Sequence, residues 1–286
     1  MNLFPKLLEI LTLTKIDEHR YQGESLDIGS PNVYGGQVLG QAVRAAGYTV
    51  HNDEFRLHSF HSYFLNPGNI LIPIDYEVEI VKDGRSFAAR RIVAKQRDKI
   101  IFVMTASYHK KEEGLEHATA MPNVAQPTSL SSFSEIFAQV AEKFNLKPRG
   151  IFSQESPIIF HPVEHYDPFN PGIRPPINHT WFKANGELTD DHKLHQTILA
   201  YASDFNLLIT ALFPHNMSLF THPMQIASLD HAMWIHDDFR ADDWLLYVVE
   251  SSKAAGGRAL CNGKIFTQNG KLVASVAQEG LIRKLG

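Results

Sequence analysis

The sequence has one cysteine, Cys261, so no disulfide can form within the chain and a small cross-linked framework is excluded. A lone thiol suits a reducing compartment. Basic charge is not in surplus: 27 Lys and Arg stand against 31 Asp and Glu, a formal net charge of -4. The electrostatic footprint of a nucleic-acid binder and the charge block of an acidic tail are both missing. The first segment, residues 1–13, has no unbroken apolar run, because Lys6 and Glu9 interrupt Leu3, Phe4, Leu7, Leu8, Ile10 and Leu11. It falls short of the ~20 apolar residues of a membrane span, and no small-residue cleavage site follows it. We expect a short amphipathic helix there, with no membrane partner and no nucleic-acid partner. The closing Arg283-Lys284-Leu285-Gly286 is not a peroxisomal address of the Ser-Lys-Leu kind, which leaves a cytoplasmic protein as the expectation. No Cys pair and no His-Glu-x-x-His pattern occurs, and the 15 histidines are scattered, so neither a metal nor another cofactor is expected.

What the chain does have is length and an internal echo. Its 286 residues suffice for one large core or two of roughly 110 to 140 residues each. The segment Leu57-His58-Ser59-Phe60-His61-Ser62-Tyr63-Phe64 reads like Ala227-Ser228-Leu229-Asp230-His231-Ala232-Met233-Trp234, an offset of 231 − 61 = 170. Asp75 to Ile80 matches Leu246 to Ser251, and Asp98 to Ala106 matches Asn269 to Ala277, both at 171. Three ordered matches at nearly constant offset argue for duplication of one domain.

Each half opens with a helical segment, 37–48 in one and 194–213 in the other, followed by β segments. Residues 78–81, 88–94 and 100–108 are rich in β-formers and partly alternate, and Asn269-Gly270 is a hairpin turn signal. One helix followed by antiparallel strands is an α+β arrangement, with the helix free to lie across the sheet. The expected layout is an N-terminal domain over 1–115, a linker over 116–148 carrying a helix from Phe133 to Phe144, and a C-terminal domain over 149–286. The Pro-rich stretch 162–176 reads as a loop into that second domain.

Asp204 is the sharpest candidate for chemistry. On a continuous helix at ~100° per residue, Ser203, Asn206 and Thr210 form a polar stripe and Ile198, Phe205, Ile209 and Leu212 the core face. Asp204 falls on the shoulder between them, where a carboxylate is either solvated at the helix edge or desolvated and in need of donors. Ser228 lies in a β segment. Strand alternation puts it with Asp230, Ala232 and Trp234 on one face, and Leu229, His231 and Met233 on the other. A lone serine in a strand is most often structural. Gln278 shares a face with Ala274 and Val276, and its counterpart in the first half is Ser107. Together Asp204, Ser228 and Gln278 supply a carboxylate, a hydroxyl and an amide, enough to hold and polarise a water.

Other features are weaker. His58 occupies the duplicated position of Ser228 and is a secondary candidate; His58 and His61, three apart on a strand, point to opposite faces and do not grip one ion. Gly35, Gly36 and Gln37 precede a helix, where glycines either admit a ligand to backbone N–H groups or merely make a tight turn. The run Tyr34 to Gln41 lacks the middle glycine of a dinucleotide fingerprint. Gly84-Arg85-Ser86-Phe87-Ala88 misses the last glycine of a nucleophile elbow. Cys261 reads as a packed thiol in a buried strand.

With these motifs in view, the chain resembles the bacterial acyl-CoA thioesterase II (TesB) family along nearly its whole length. The resemblance is carried by Tyr34-Gly35-Gly36-Gln37-Val38-Leu39-Gly40-Gln41-Ala42, His58 to Leu65, Asp83 to Arg91, Tyr201-Ala202-Ser203-Asp204 and Asp230-His231-Ala232-Met233-Trp234. It implies a tandem (double) hotdog, each unit a long helix wrapped by an antiparallel β-sheet, and a homo-oligomer, dimer or tetramer. It further implies an enzyme that hydrolyses medium- to long-chain acyl-CoA, with its site at Asp204, Gln278 and position 228. There the family commonly has threonine and this chain has Ser228. Two rival readings are an enoyl-thioester hydratase, whose Asp/His loop the segment Tyr166 to Gly172 loosely resembles with Gly172 in place of His, and a non-catalytic acyl-CoA-binding regulator.

Overall fold

A computed structural model describes residues 3–29, 32–143, 153–164, 167 and 169–285. The first half runs α1 (Phe4–Leu11), β1 (Thr14–Lys15), β2 (Arg20–Gly23), α2 (Gly35–Tyr48), β3 (Phe55–Phe64), β4 (Ile74–Asp83), β5 (Phe87–Gln96) and β6 (Lys99–Lys110). After α3 (Phe133–Lys143) come β7 (Ile158–Pro162), β8 (Ile177–Ala184), α4 (His192–Ser203), β9 (Met224–Ser228), β10 (Asp230–Ile235), β11 (Leu245–Ala255), β12 (Arg258–Thr267) and β13 (Leu272–Lys284). The expected strands and the turn at Gly270, whose φ of 91° needs a glycine, are found where the β-former runs and the Asn-Gly signal put them. Phe144, the last residue of the expected third helix, and the boundary at 148–149 lie outside the described residues, as do Tyr166 and Pro168 of the hydratase-like segment.

The strands form one antiparallel sheet in the order β1-β2-β4-β5-β6-β3-β10-β13-β12-β11-β8-β7, with β9 paired to β13. Read outward from the central β3–β10 pair, the two sides repeat one order, which is what duplication of a single unit produces. The echo segments themselves form the seam: Ala232 pairs with His61 and Met233 with Phe60. Inside the curve of the sheet lie α2 and α4, packed on each other. Gly40 permits that approach, since a Cβ there would sit 3.3 Å from the Thr197 carbonyl and from Tyr201 Cβ. This is the tandem hotdog.

Two expectations need correction. Neither half opens with its helix: β1 and β2 precede α2, and β7 and β8 precede α4. The helix expected over 194–213 stops at Ser203, passes through a turn at 204–207 in which Asn206 has φ 57°, and resumes as a 3-10 helix at Leu208–His215. An asparagine tolerates that left-handed conformation better than most residues. Ser203 and Thr210 are fully buried, because a helix enclosed by both sheet and partner helix has no solvent face. The linker segment packs against the second half. Its Met121, Val124 and Leu130 cover Trp181, Leu246 and Phe266 on the outer surface of the second half, and Trp181 Nε1 donates to the Ala125 carbonyl at 2.9 Å.

Candidate active site

The break in the helix is what presents Asp204. It is the C-cap of α4, at φ -77° and ψ -14°, and its half-buried side chain leaves the helix axis where the last carbonyls have no intrahelical donor. Two tyrosines supply those donors. Tyr34 Oη donates to the Tyr201 carbonyl at 3.2 Å and Tyr247 Oη to the Ser203 carbonyl at 3.0 Å. Burial, and secondly the Asp204 charge, push both phenols well above their usual range, so they remain neutral donors.

The N-terminus of α2 faces this break. A Cβ on Gly35 would lie 2.6 Å from Asp204 Oδ2, and one on Gly36 would lie 2.2 Å from the Tyr201 carbonyl oxygen. Only glycine allows the two helix ends to meet so closely. First-turn N–H groups lack intrahelical acceptors, and the positive end of the helix dipole favours a negative charge beside it. The C-terminal end of α4, at which Asp204 sits, offers a negative pole; the positive α2 terminus offsets it. A site assigned to the second half is therefore completed by the helix of the first.

Ser228 and Gln278 come from neighbouring strands. Gln278 is buried in the middle of β13, on the inward face with Ala274 and Val276 as alternation requires. Ser228 Oγ donates to Asp204 Oδ1 at 3.0 Å, and Gln278 Nε2 donates to Ser228 Oγ at 2.9 Å. The alternation expected through 228–234 fails, because β9 ends at Ser228 and β10 begins at Asp230. Across that interruption Leu229 N–H donates to the Glu279 carbonyl and the Leu229 carbonyl accepts from Phe64 N–H. The strand changes partner there, so Ser228 and His231 turn inward together. His231 is fully buried, its Nδ1 hydrogen-bonded to Gln278 Oε1 and its Nε2 3.0 Å from Ser203 Oγ.

A cavity of about 530 Å³ opens beside these groups, with Tyr34, Gly35, Val38, Phe64, Phe102 and Ser228 among its lining residues. Asp204 is not in its wall but lies directly behind Gly35 and Ser228, within contact of each. That volume falls in the range of about 300–1,000 Å³ typical of small-molecule clefts.

The remaining candidates separate from this cluster. His58 sits in the first half, its Nε2 2.8 Å from Ser107 Oγ and its ring against Phe87 and His109. This contact repeats, at the duplicated positions, the Ser228–Gln278 contact, without a carboxylate beside it. The Gln37 side chain is spent on structure, accepting from Leu26 N–H and donating to the Glu24 carbonyl and Ser25 Oγ, so of the glycine segment only Gly35 lines the cavity. Burial pushes the Cys261 thiol up to about 11, in keeping with a packed thiol. Among the described residues no group of three or more His, Cys, Asp or Glu side chains is placed to hold an ion. Sequence reasoning missed Tyr34, Tyr247 and His231. Of these, Tyr34 and His231 lie in runs that carry the family resemblance, and His231 also aligns with His61 in the repeat.

A family model described as "Acyl-CoA thioesterase" matches residues 149–281, and one described as "Acyl-CoA thioesterase N-terminal domain" matches residues 24–109. Acyl-CoA thioesterase 2 of Haemophilus influenzae is 40% identical over 282 residues, covering 99% of this chain and 98% of its own. Acyl-coenzyme A thioesterase 8 of Homo sapiens is 36% identical, covering 96% of this chain and 88% of its own. Among solved structures, the acyl-CoA thioesterase II TesB2 from Mycobacterium marinum aligns with a TM-score of 0.79 at 36% identity, with 98% of each chain covered.

Proposed function

The chain belongs to the acyl-CoA thioesterase family and is an acyl-CoA thioester hydrolase, and from that premise we propose that it cleaves medium- to long-chain acyl-CoA with a water held by Asp204, Ser228 and Gln278. The observation that carries this reading is the hydrogen-bonded run Gln278–Ser228–Asp204, whose Ser228 lines a cavity together with Val38, Phe64 and Phe102. Ser228 spends its only proton on Asp204 Oδ1, which leaves the second carboxylate oxygen to accept a proton from water. As the water oxygen bonds to the thioester carbon, Asp204 takes that proton. The developing oxyanion accepts from backbone N–H groups at the α2 N-terminus. The tetrahedral intermediate collapses with cleavage of the C–S bond, the thiolate leaves, and the proton held on Asp204 passes to it, giving free acid and CoA thiol. The acyl chain lies along Val38, Phe64, Ile101 and Phe102 in the cavity.

A covalent route through Ser228 is disfavoured because no histidine contacts its hydroxyl among the described residues: Ser228 Oγ is bonded to the Asp204 carboxylate and the Gln278 amide, and His231 reaches it only through Gln278. A rapid-quench single turnover with radiolabelled palmitoyl-CoA tests the choice. Label should appear only as free acid; label retained on denatured protein and mapped to Ser228 would replace the water mechanism by an acyl-enzyme. The hydratase and regulator readings give way to family membership. We also propose that the protein works in the cytoplasm as a dimer or tetramer. Tyr63, 58% exposed, and Trp234, 37% exposed, stand on the outer face of the β3–β10 seam and offer an apolar surface for such assembly.

A further inference from the structure

The hydrogen-bonded cluster has a direction, set by which groups can donate. A carboxylate only accepts, so the contact between Ser228 Oγ and Asp204 Oδ1 uses the serine proton. Ser228 then has to accept from its other neighbour, and Gln278 must turn its NH2 towards it. An amide is nearly symmetric in shape, however. Turned over, Gln278 would present Oε1 to Ser228, draw the serine proton away from Asp204 and still satisfy the serine. Nothing among Asp204, Ser228 and Gln278 forbids that second arrangement.

His231 does. Its Nδ1 is hydrogen-bonded to Gln278 Oε1, and Oε1 can only accept, so Nδ1 carries a proton. The ring is fully buried and stacked at 17° on Phe60, and burial holds it below the usual imidazole range, so it is neutral and has one N–H. Nε2 then lies 3.0 Å from Ser203 Oγ, whose one proton also faces the Ala200 carbonyl at 3.0 Å. A turned amide would aim its NH2 at the Nδ1 proton, and two donors facing each other in a buried site cost a hydrogen bond and leave both unsatisfied. The donors therefore run one way, from His231 to Gln278 to Ser228 to Asp204, ending at the α4 terminus.

We infer that His231 is a positioning residue of the hydrolase, holding the Gln278 amide in the orientation that keeps the Ser228 proton on Asp204. This rests on the assignment of Asp204, Ser228 and Gln278 to the reaction. His231 touches neither substrate nor water; it acts through Gln278. In the held orientation the second N–H of the amide has no protein acceptor among the described residues and remains available to the reacting water or oxyanion.

The test is steady-state thiol release from palmitoyl-CoA by the full chain for His231→Leu, His231→Asn, Gln278→Ala and the double variant His231→Leu/Gln278→Ala. Leucine removes the donor, whereas asparagine can return an N–H near the Nδ1 position. His231→Leu should lower kcat by about 10–100-fold with KM within about threefold of wild type, and His231→Asn should recover most of the loss. In the Gln278→Ala background His231→Leu should cost almost nothing further, because residues acting through one group are not additive. Full activity in His231→Leu, equal losses in the leucine and asparagine variants, or additive losses in the double variant would each overturn the inference. If His231→Leu does not fold, His231→Phe keeps a ring against Phe60 and removes the N–H facing Gln278; a lower kcat at unchanged KM supports the inference, and wild-type kinetics overturn it. Asp204→Asn, assayed alongside, separates the two claims: full activity there defeats the Asp204 assignment itself, whereas an inactive Asp204→Asn beside a fully active His231→Leu defeats only the role of His231.

Discussion

At the scale of single residues, the site rests on a few short contacts, and each has a distinct expected cost. Ser228→Ala removes a hydroxyl that orients Asp204 and the water but not the base itself. We predict a fall in kcat of about 10–100-fold with activity still measurable by thiol release; complete loss would point to a nucleophile. Gly35→Ala places a methyl 2.6 Å from Asp204 Oδ2 and must displace the carboxylate or the start of α2. The expected result is loss of kcat on the order of tenfold or more with little change in thermal midpoint, since one exposed wall of the cavity moves rather than the core; an unchanged kcat would show that the close approach is not needed. Asp204, Ser228 and Gln278 were expected together from the family resemblance, their residue types alone saying only that such a set could hold a water, and the structure brings them into one hydrogen-bonded run. His231 was not expected with them, because strict alternation put it on the face opposite Ser228. The strand break at Leu229 that reverses this is a change of hydrogen-bonding partner, which side-chain patterns do not report.

At the scale of elements, α2 and α4 are the framework, and their packing rests on small residues. Gly36→Ala drives a Cβ to 2.2 Å from the Tyr201 carbonyl oxygen. The helices must separate, so we predict destabilisation of roughly 1–3 kcal/mol, read as a lowered midpoint in chemical denaturation; a wild-type midpoint would mean the helix ends are not locked together. The expectation of a continuous helix over 194–213 failed for an instructive reason. Apolar residues continue past Ser203, and Leu207, Leu208, Ala211, Leu212 and Phe213 are all buried, so composition gives no sign of a stop. The stop is made by the turn at 204–207 with left-handed Asn206 and by hydroxyls of Tyr34 and Tyr247, which come from 167 and 44 residues away in the chain. Strands β4, β5, β6 and β13 were legible because β-former runs and a glycine turn are local signals. The small strands β1, β2, β7 and β8 were not, since each is short or sits beside prolines and finds its place only by pairing with a longer neighbour.

At the scale of the whole molecule, duplication explains both the order of the sheet and the unequal fate of its halves. The first half keeps the paired contact of His58 with Ser107, whereas in the second a carboxylate, Asp204, joins the corresponding pair. Stability should also carry a signature of buried imidazoles. His58, His192, His195, His231 and His236 are all held below the ordinary value of 6.5, mainly by burial. A group that binds fewer protons when folded than when unfolded favours folding above its unfolded pKa. That contribution is then lost as the pH falls from about 6.5 towards the lower folded values. The thermal midpoint should therefore hold near pH 7–8 and drop progressively below about pH 6.5; a midpoint that stays level or rises down to pH 5 would contradict the assignment of neutral buried rings. Assembly is checked by sedimentation equilibrium, where a mass of two or four times 32.2 kDa is expected and a monomer at micromolar concentration would refute it. The central claim, that Asp204 is the base, is tested most directly by release of CoA thiol from palmitoyl-CoA by wild type and by Asp204→Asn. This change keeps the shape and the contact to Ser228 but removes the charge. The account predicts turnover by wild type and a loss of kcat of about 100-fold or more in a variant that folds normally; a folded Asp204→Asn that turns over at the wild-type rate would contradict it.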